Sequence, residues 1–276
     1  MSENNFVVFT QHSSSYAPNR LAVEASKMGL GVKVIGYSSL NTYKFINLPS
    51  AKYVILREPD ANKNLYTLRD HILKHYLSQK STVLNSQSYL KWSVLDKLTQ
   101  QQEFEKGNIP FIKSVSLKNH IYPFVVKAKL GSHGSHVFKI ENNNDLEKVF
   151  SKGYKKENLL VQEFQRSGFD LRVIVLDKNV LGIMKRTPKP GNFLSNYSQG
   201  GSVEKYTGND IKIIKNIALK TAKYFKLDYV GIDLMLGNDN IWKVLEVNRA
   251  CQFQGFEKAT KVNVAKEVLD YLSSLS

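Results

Sequence analysis

Residues 229–248 read YVGIDLMLGNDNIWKVLEVN, two apolar runs joined by Gly237, Asn238, Asp239 and Asn240, a composition that closes a β-hairpin. No other segment constrains the chain as tightly, because these apolar runs also carry three oxygen-bearing side chains, Asp233, Glu246 and Asn248. Strand side chains alternate faces, so Glu246 and Asn248 share one face while Leu245 and Val247 point the other way. Asp233 is likewise flanked by apolar Ile232 and Leu234. Oxygen ligands on neighbouring strands suit a hard divalent cation such as Mg²⁺, usually in company with substrate phosphates.

Upstream, NFVVFT reads as a buried strand, and Pro18 opens a helix with Leu21, Ala22, Ala25 and Met28 at helical spacing and Gly29 as its stop. Strands VKVIGY and KYVILRE, helix NLYTLRDHILKHYLSQ and strand STVLN follow, which predicts a parallel sheet of roughly 85 residues. It lacks a GxGxxG turn, so dinucleotide binding is not expected there. A helix is predicted from Ser88 to about Glu105, then FVVKAKLGSHGSHVFKI as strand, glycine loop and strand. Helix NDLEKVFSKG precedes strand NLLVQEF and a hairpin, DLRVIVL and VLGIMKR, turning at Asp177, Lys178 and Asn179. GNFLSNYSQGGSVEKY, with Gly200 and Gly201, reads as a polar loop, either a connection or a segment covering substrate. Helix DIKIIKNIALKTAKYF leads into the opening hairpin, and a last helix starts near Asn263 with Val264, Val268, Leu269 and Leu272 on one side.

The 276 residues allow one large domain or two to three smaller ones. No run of about 18 apolar residues predicts a membrane span. MSENNFVVFT lacks the layout of a secretory signal, so a cytoplasmic location is expected. Cys251 is the single cysteine, which excludes a disulfide framework and a cysteine-based zinc site. The net charge of +15 implies anionic partners. The lysines are scattered, without zinc-finger spacing or the aromatic signature of an RNA-binding sheet, so nucleic acid is not the expected partner.

In VVKAKLGSHGSH the glycine turn exposes backbone N–H groups, and Lys127 on the entering strand could reach an anion. GxxxxGK[ST] is absent, and GSHG alone is equally an ordinary hairpin turn. His133 and His136 in that loop are phosphate contacts or simply solvated. Asp170 and Arg172 share a strand face, with Lys185 and Arg186 ending the next strand, as an ion pair or as part of a site. Arg57 ends YVILRE as a bidentate carboxylate binder or as the partner of Glu58 or another acid. Cys251 is a small buried hydrophobe or a lining residue of an acceptor pocket. No Ser-His-Asp arrangement or histidine cluster is evident.

Taken in order, a lysine before a glycine loop, then QEF, then DLR, then an Asp–Glu–Asn set resembles the ATP-grasp superfamily. More closely, the chain resembles the RimK-type carboxylate–amine ligases, which include the glutamate ligase acting on a ribosomal protein, over residues 91–266. The resemblance implies an α+β protein: an ATP-grasp fold behind an N-terminal α/β pre-ATP-grasp domain at 1–86. A central subdomain with the glycine loop would occupy 87–161, and a C-terminal subdomain with the metal site 162–276.

It also implies that Lys91 and Lys127 contact phosphate, and that Gly131, Ser132, His133 and Gly134 close over the triphosphate. Gln162 and Phe164 would offer backbone groups to adenine, with Glu163 in the same hinge. Asp170 would stand at the nucleotide end beside Arg172, while Arg172, Arg186 and Asn196 would act on phosphate and acyl group. Asp233, Glu246 and Asn248 would hold magnesium. ATP and two Mg²⁺ ions follow as cofactors, with Mn²⁺ as a substitute.

The implied chemistry transfers the γ-phosphoryl group to a carboxylate; an amine then attacks the acyl phosphate and expels phosphate. The carboxylate substrate could be an acidic peptide, protein tail or metabolite, the amine an amino acid, and relatives form homo-oligomers. NRACQFQ replaces the family's Asn-x-Ser-Pro-Gly stretch, and Leu194 and Tyr197 stand where it has Arg and His, changes on the acceptor side. The alternatives are a lactone- or lactam-forming peptide-modifying ligase, a non-catalytic basic nucleotide-binding regulator and a nucleic-acid-binding module.

Overall fold

The expected strand–helix alternation forms β1 (Phe6–Thr10), α1 (Tyr16–Lys27), β2 (Val32–Gly36), β3 (Tyr53–Leu56), α2 (Lys63–Ser78) and β4 (Thr82–Val83). They build a parallel sheet in the order β2-β1-β3-β4. Every residue of β1 and β3 is buried, which is why both read as unbroken apolar runs. This computed structural model describes residues 5–40, 48–59, 63–131, 136–195 and 200–275. Among them no helix is long and apolar enough to cross a membrane.

The single helix expected over 88–105 is instead two, α3 (Ser86–Lys91) and α4 (Lys97–Lys106). The Asp96 side chain accepts from the Thr99 amide at 2.7 Å, so a cap ends the break and starts α4. Strands β5 (Phe124–Ala128), β6 (Val137–Ile140) and β7 (Leu159–Glu163) form an antiparallel sheet, order β6-β5-β7, beside α5 (Asn143–Ser151). The third sheet runs β10-β9-β8-β11-β12, from β8 (Asp170–Leu176), β9 (Asn179–Thr187), β10 (Ser202–Lys205), β11 (Tyr229–Leu236) and β12 (Trp242–Asn248), with α6 (Ile211–Tyr224) against it. Helices α7 (Gln254–Thr260) and α8 (Val264–Ser274) close the chain.

Two elements depart from the reading of the sequence. β10 falls in the stretch taken as a polar loop, paired with β9 through Ser202 opposite Thr187 to Lys205 opposite Met184. α7 has little helical pattern of its own; its Phe256 is wholly buried, and a Cβ placed on Gly182 of β9 would come within 3.0 Å of that ring. Tertiary packing makes this helix.

The first and third sheets share one core, in which Phe6, Val8 and Leu21 pack with Ile174, Phe256, Val268 and Leu272. Leu171, Val173, Ile232, Leu234 and Trp242 form a second core with α6 on the other face of the third sheet. The three-stranded sheet has only a small core of its own, Phe124, Val126, Ile140, Val149 and Val161.

A β-bulge in the opening hairpin decides where the acidic residues go. Asp233 pairs with Glu246, but Leu234 pairs with Val244, leaving Leu245 as the extra residue. Trp242 and Val244 lie in the core, and simple alternation would have put Glu246 and Asn248 there with them. The bulge changes the parity: Val247 enters the core, while Leu245, Glu246 and Asn248 all line the cleft. Leu245 therefore does not point away from Glu246, as alternation alone predicts.

Candidate active site

The cleft has a volume of about 1200 Å³ and touches all three sheets. Its floor is a lateral row of charges set by register: Arg186 is opposite Asp170, Arg172 opposite Asp233, and Asp233 opposite Glu246. Arg172 grips Asp233 with a two-pronged contact, Nε to Oδ1 and Nη2 to Oδ2, both at 2.8 Å. Arg186 donates from Nε to Asp170 at 2.5 Å and lies 3.0 Å from Asp233 through Nη2. The Ser195 hydroxyl donates to the second Asp170 oxygen.

Burial pushes the Asp233 carboxyl up, but Arg172 and Arg186 together outweigh it and hold the group below the ordinary carboxylate range. Burial likewise works against charge on both guanidiniums, and their acidic partners reverse it, raising both. Asp170 and Asp233 are thus already engaged with arginines.

Glu246 is differently placed. Its neighbour is Lys97 of α4, whose Nζ lies 3.5 Å from Oε1 and donates to the Gly131 carbonyl at 2.8 Å. Asn248 Nδ2 is buried with no hydrogen-bond partner. Half a turn of that amide puts its oxygen in the same place. Glu246 and Asn248 are therefore the oxygen donors open to a cation, with Asp233 behind them. The described residues contain no group of three His, Cys, Asp or Glu that could hold a metal alone. A cation here would need other oxygens, as Mg²⁺ does when it binds substrate phosphates.

On the facing wall, β5 presents Lys127. Burial, and then the neighbouring positive Lys97, lower its ammonium to about 8, with Glu246 acting in the opposite direction. Gly131 ends the described part of the glycine loop at φ +140°, and a Cβ there would meet the His136 ring at 2.8 Å, so a side chain fits neither the backbone nor the space. His136 itself is hydrogen-bonded to the Tyr154 hydroxyl.

Gln162, Glu163 and Phe164 line the hinge end of the cleft. Gln162 stands opposite Val125 and bridges Ser114, so its backbone serves the sheet, while its side chain donates to the Ile112 carbonyl at 2.5 Å. Asn238, from the hairpin turn, donates through Nδ2 to Glu163 Oε1 and to the Phe164 carbonyl, both at 3.0 Å. Its backbone N–H reaches Gln165 Oε1 at 2.9 Å, tying the hinge to the third sheet.

Of the residues singled out in the sequence, Lys127, Gly131, Gln162, Glu163, Phe164, Asp170, Arg172, Arg186, Asp233, Glu246 and Asn248 all line this cleft. Lys91 does not: its ammonium lies over the Trp92 ring, 4.2 Å from the centroid, and Lys97 occupies the cleft instead. Ser132, His133, Gly134 and Asn196 lie outside the described residues. Cys251 is buried beside the Tyr229 hydroxyl, at 3.1 Å, with burial raising its thiol. Lys97, Asn238 and Ser195 were missed; only Lys97 had a signal, Asp96 as a helix cap immediately before it.

Comparison with known proteins identifies the family. The family model of the RimK-like ATP-grasp domain matches residues 94–272, and the chain belongs to that family. A probable alpha-L-glutamate ligase of Maridesulfovibrio salexigens is 34% identical over 157 residues, covering 54% of this chain and 50% of the relative. In this and two further probable alpha-L-glutamate ligases, the chain spans about half the relative's length.

Among solved structures, the ATP-grasp ligase PsnB complexed with a phosphomimetic variant of its minimal precursor, Mg and ADP superimposes with a TM-score of 0.76 at 17% identity, covering 99% of this chain and 98% of that one. A RimK domain protein from Sphaerobacter thermophilus gives 0.72 at 16%, covering 97% and 98%. Identities this low speak to the fold, which is the ATP-grasp fold.

Proposed function

We propose that the protein is an ATP-dependent carboxylate–amine ligase that forms an amide bond through an acyl phosphate. The observation that carries this reading is the meeting of Lys97 and Lys127 with Glu246, next to Asn248 Nδ2, which has no partner among the described residues, and the Arg172–Asp233–Arg186 network. A carboxylate is a poor electrophile, and phosphorylation gives it a leaving group. That step needs positioning and charge neutralisation more than acid–base groups.

In this reading Lys97 and Lys127 hold the phosphate chain from one wall. Glu163 and Phe164 receive the adenine at the hinge; Gln162, expected to offer its backbone to adenine, is instead committed to the sheet and to the Ile112 carbonyl. Arg172 and Arg186, locked by Asp233 and Asp170, stabilise charge on the transferring phosphoryl group and the acyl phosphate without having to reorient. Glu246 and Asn248 fit Mg²⁺, which would neutralise phosphate charge when bound; PsnB was solved with Mg and ADP. The number of ions and the use of Mn²⁺ belong to the same proposal. The curated relatives suggest an amino acid as the amine, and the precursor-peptide complex of PsnB keeps a peptide among the carboxylate candidates.

The test is phosphate release from MgATP over a panel of amino acids, dicarboxylates and acidic peptides, with mass spectrometry of each active mixture. A product equal to both reactants less one water is expected. Glu246→Ala should lose roughly 10²–10³-fold in turnover. A product formed by loss of water within one peptide would point to a lactone- or lactam-forming enzyme. Nucleotide binding with no release across the panel counts against a ligase.

A further inference from the structure

Arg57 extends from the end of β3 into the cleft and is only 7% exposed. Arg69, Arg186 and Arg249, the other buried arginines among the described residues, each have a carboxylate partner. Arg69 and Arg249 share Glu58 at 2.5 Å, and Arg186 holds Asp170 at 2.5 Å. Arg57 has none among the described residues; its guanidinium makes one hydrogen bond, Nη2 to the Ala250 carbonyl at 2.8 Å. The neighbouring Glu58, the obvious candidate in the sequence, is taken by Arg69 and Arg249. A guanidinium is charged at any working pH, and burying it without a counter-ion is costly.

The position of Arg57 relative to the reacting groups follows from the chain after β12. Arg57 binds the carbonyl of Ala250, and Arg172 Nη1 donates to the carbonyl of Gln252 at 3.4 Å. The two carbonyls are two residues apart, a span of at most ~7 Å. Arg57 thus stands at the near end of the short segment that leaves Asn248, with Arg172 two residues further along it, next to the charged row but outside it. Ser15 and Tyr16, at the start of the 12-residue helix α1, also line the cleft and are tied to the same segment through Gln252, whose side chain accepts from the Ala17 N–H at 3.3 Å.

We propose that Arg57 binds a substrate carboxylate other than the one that reacts, so that the substrates include a dicarboxylate or an α-amino acid. This rests on the ligase reading. A carboxylate held by two N–H prongs of a buried guanidinium is stabilised as the anion and is a poor nucleophile toward phosphorus. The carboxylate at Arg57 therefore anchors the substrate, and the reacting group extends toward Arg172, Arg186 and Glu246.

The experiment is a titration of the full-length protein, with magnesium and a non-hydrolysable ATP analogue, using glutarate, L-glutamate and the uncharged glutaramide as probes. Wild type is compared with Arg57→Gln and Arg57→Lys, and melting temperatures and analogue affinity report folding. Arg57→Gln should weaken glutarate or glutamate binding roughly 10- to 100-fold and leave glutaramide and the analogue unchanged. Arg57→Lys should recover part of the loss, since it keeps the charge without the fork. The Arg57 Nε–H resonance of ¹⁵N-labelled protein should shift on adding the acid and not the diamide.

Equal affinity of wild type and Arg57→Gln for the acids overturns the assignment. So does the absence of carboxylate binding to wild type. Failure of wild type to bind the nucleotide analogue overturns the ligase reading separately, and the carboxylate preference is still read from the same titrations without it.

Discussion

Replacing Lys127 by Met should stabilise the protein and disable it. The ammonium falls from its ordinary value of 10.5 to about 8 because β5 buries it and Lys97 lies nearby. A drop of that size corresponds to roughly 3 kcal/mol of strain at neutral pH, and contact with cleft water reduces it, so a gain of about 1–3 kcal/mol is expected at pH 7. The folded protein binds this proton less tightly than the unfolded chain. Between about pH 8 and 10.5 the unfolded chain therefore carries the extra proton, and wild-type stability rises with pH across that window. The advantage of Lys127→Met should shrink as wild type catches up. Urea unfolding of both proteins at pH 7 and pH 10 measures it, because other titrating groups cancel in the difference. Nucleotide phosphates favour the charged form, so wild-type ATP affinity should fall about tenfold from pH 7 to pH 9, and the variant should show weak, flat binding. A stability difference that stays constant from pH 7 to 10, or ATP affinity unaffected by the substitution, refutes the reasoning.

The two candidate phosphate lysines are separated by paired substitutions: Lys97→Met should weaken ATP binding about tenfold or more, and Lys91→Met should leave it within twofold, as read by calorimetry. Asp233→Asn removes the acid shared by Arg172 and Arg186 and should cost about 3–5 kcal/mol in denaturant unfolding, because Arg172 loses its carboxylate partner and Arg186 keeps only Asp170. Acid should do the same to wild type: Asp233 titrates below its unfolded value, so its contribution is present above about pH 4 and fades as pH falls through the lowered folded value. The acid limb of the stability profile should be flatter in Asp233→Asn.

Much of the third sheet was legible because its turns carry their own chemistry. Asp177 adopts φ +53° at the tip of the β8–β9 hairpin, and the Gly237–Asn240 turn closes where its composition indicates. β1 and β3 of the first sheet were legible because parallel strands buried on both faces leave unbroken apolar runs. What escaped depends on partners distant in the chain. The bulge at Leu245 has no local mark, since it exists only in the pairing with β11. α7 is held by Gly182 and Phe256, 74 positions apart. Lys91 and Lys97 are equally plausible in a line of letters, and only the Asp96 cap, which turns α4 toward Gly131, distinguishes them. Arg57 was visible as a candidate, but only the structure gives Glu58 to two other arginines.

The distribution of cores makes the two walls of the cleft unequal. The wall bearing Glu246, Asn248 and Arg172 belongs to a body in which chain start and chain end are packed together, so loosening it means unfolding most of the protein. The wall bearing Lys127 rests on five buried side chains and is joined to that body by the Asn238 contacts and the Phe111–Val244 and Ser114–Gln162 bridges. Amide exchange should therefore divide into two classes, with β5–β7 opening at lower free energy than β8, β11 and β12. The cleft is built as an anvil and a hammer rather than as a pair of matched jaws; in the proposed ligase reaction the anvil would hold the substrate in register while the hammer lifts to release ADP.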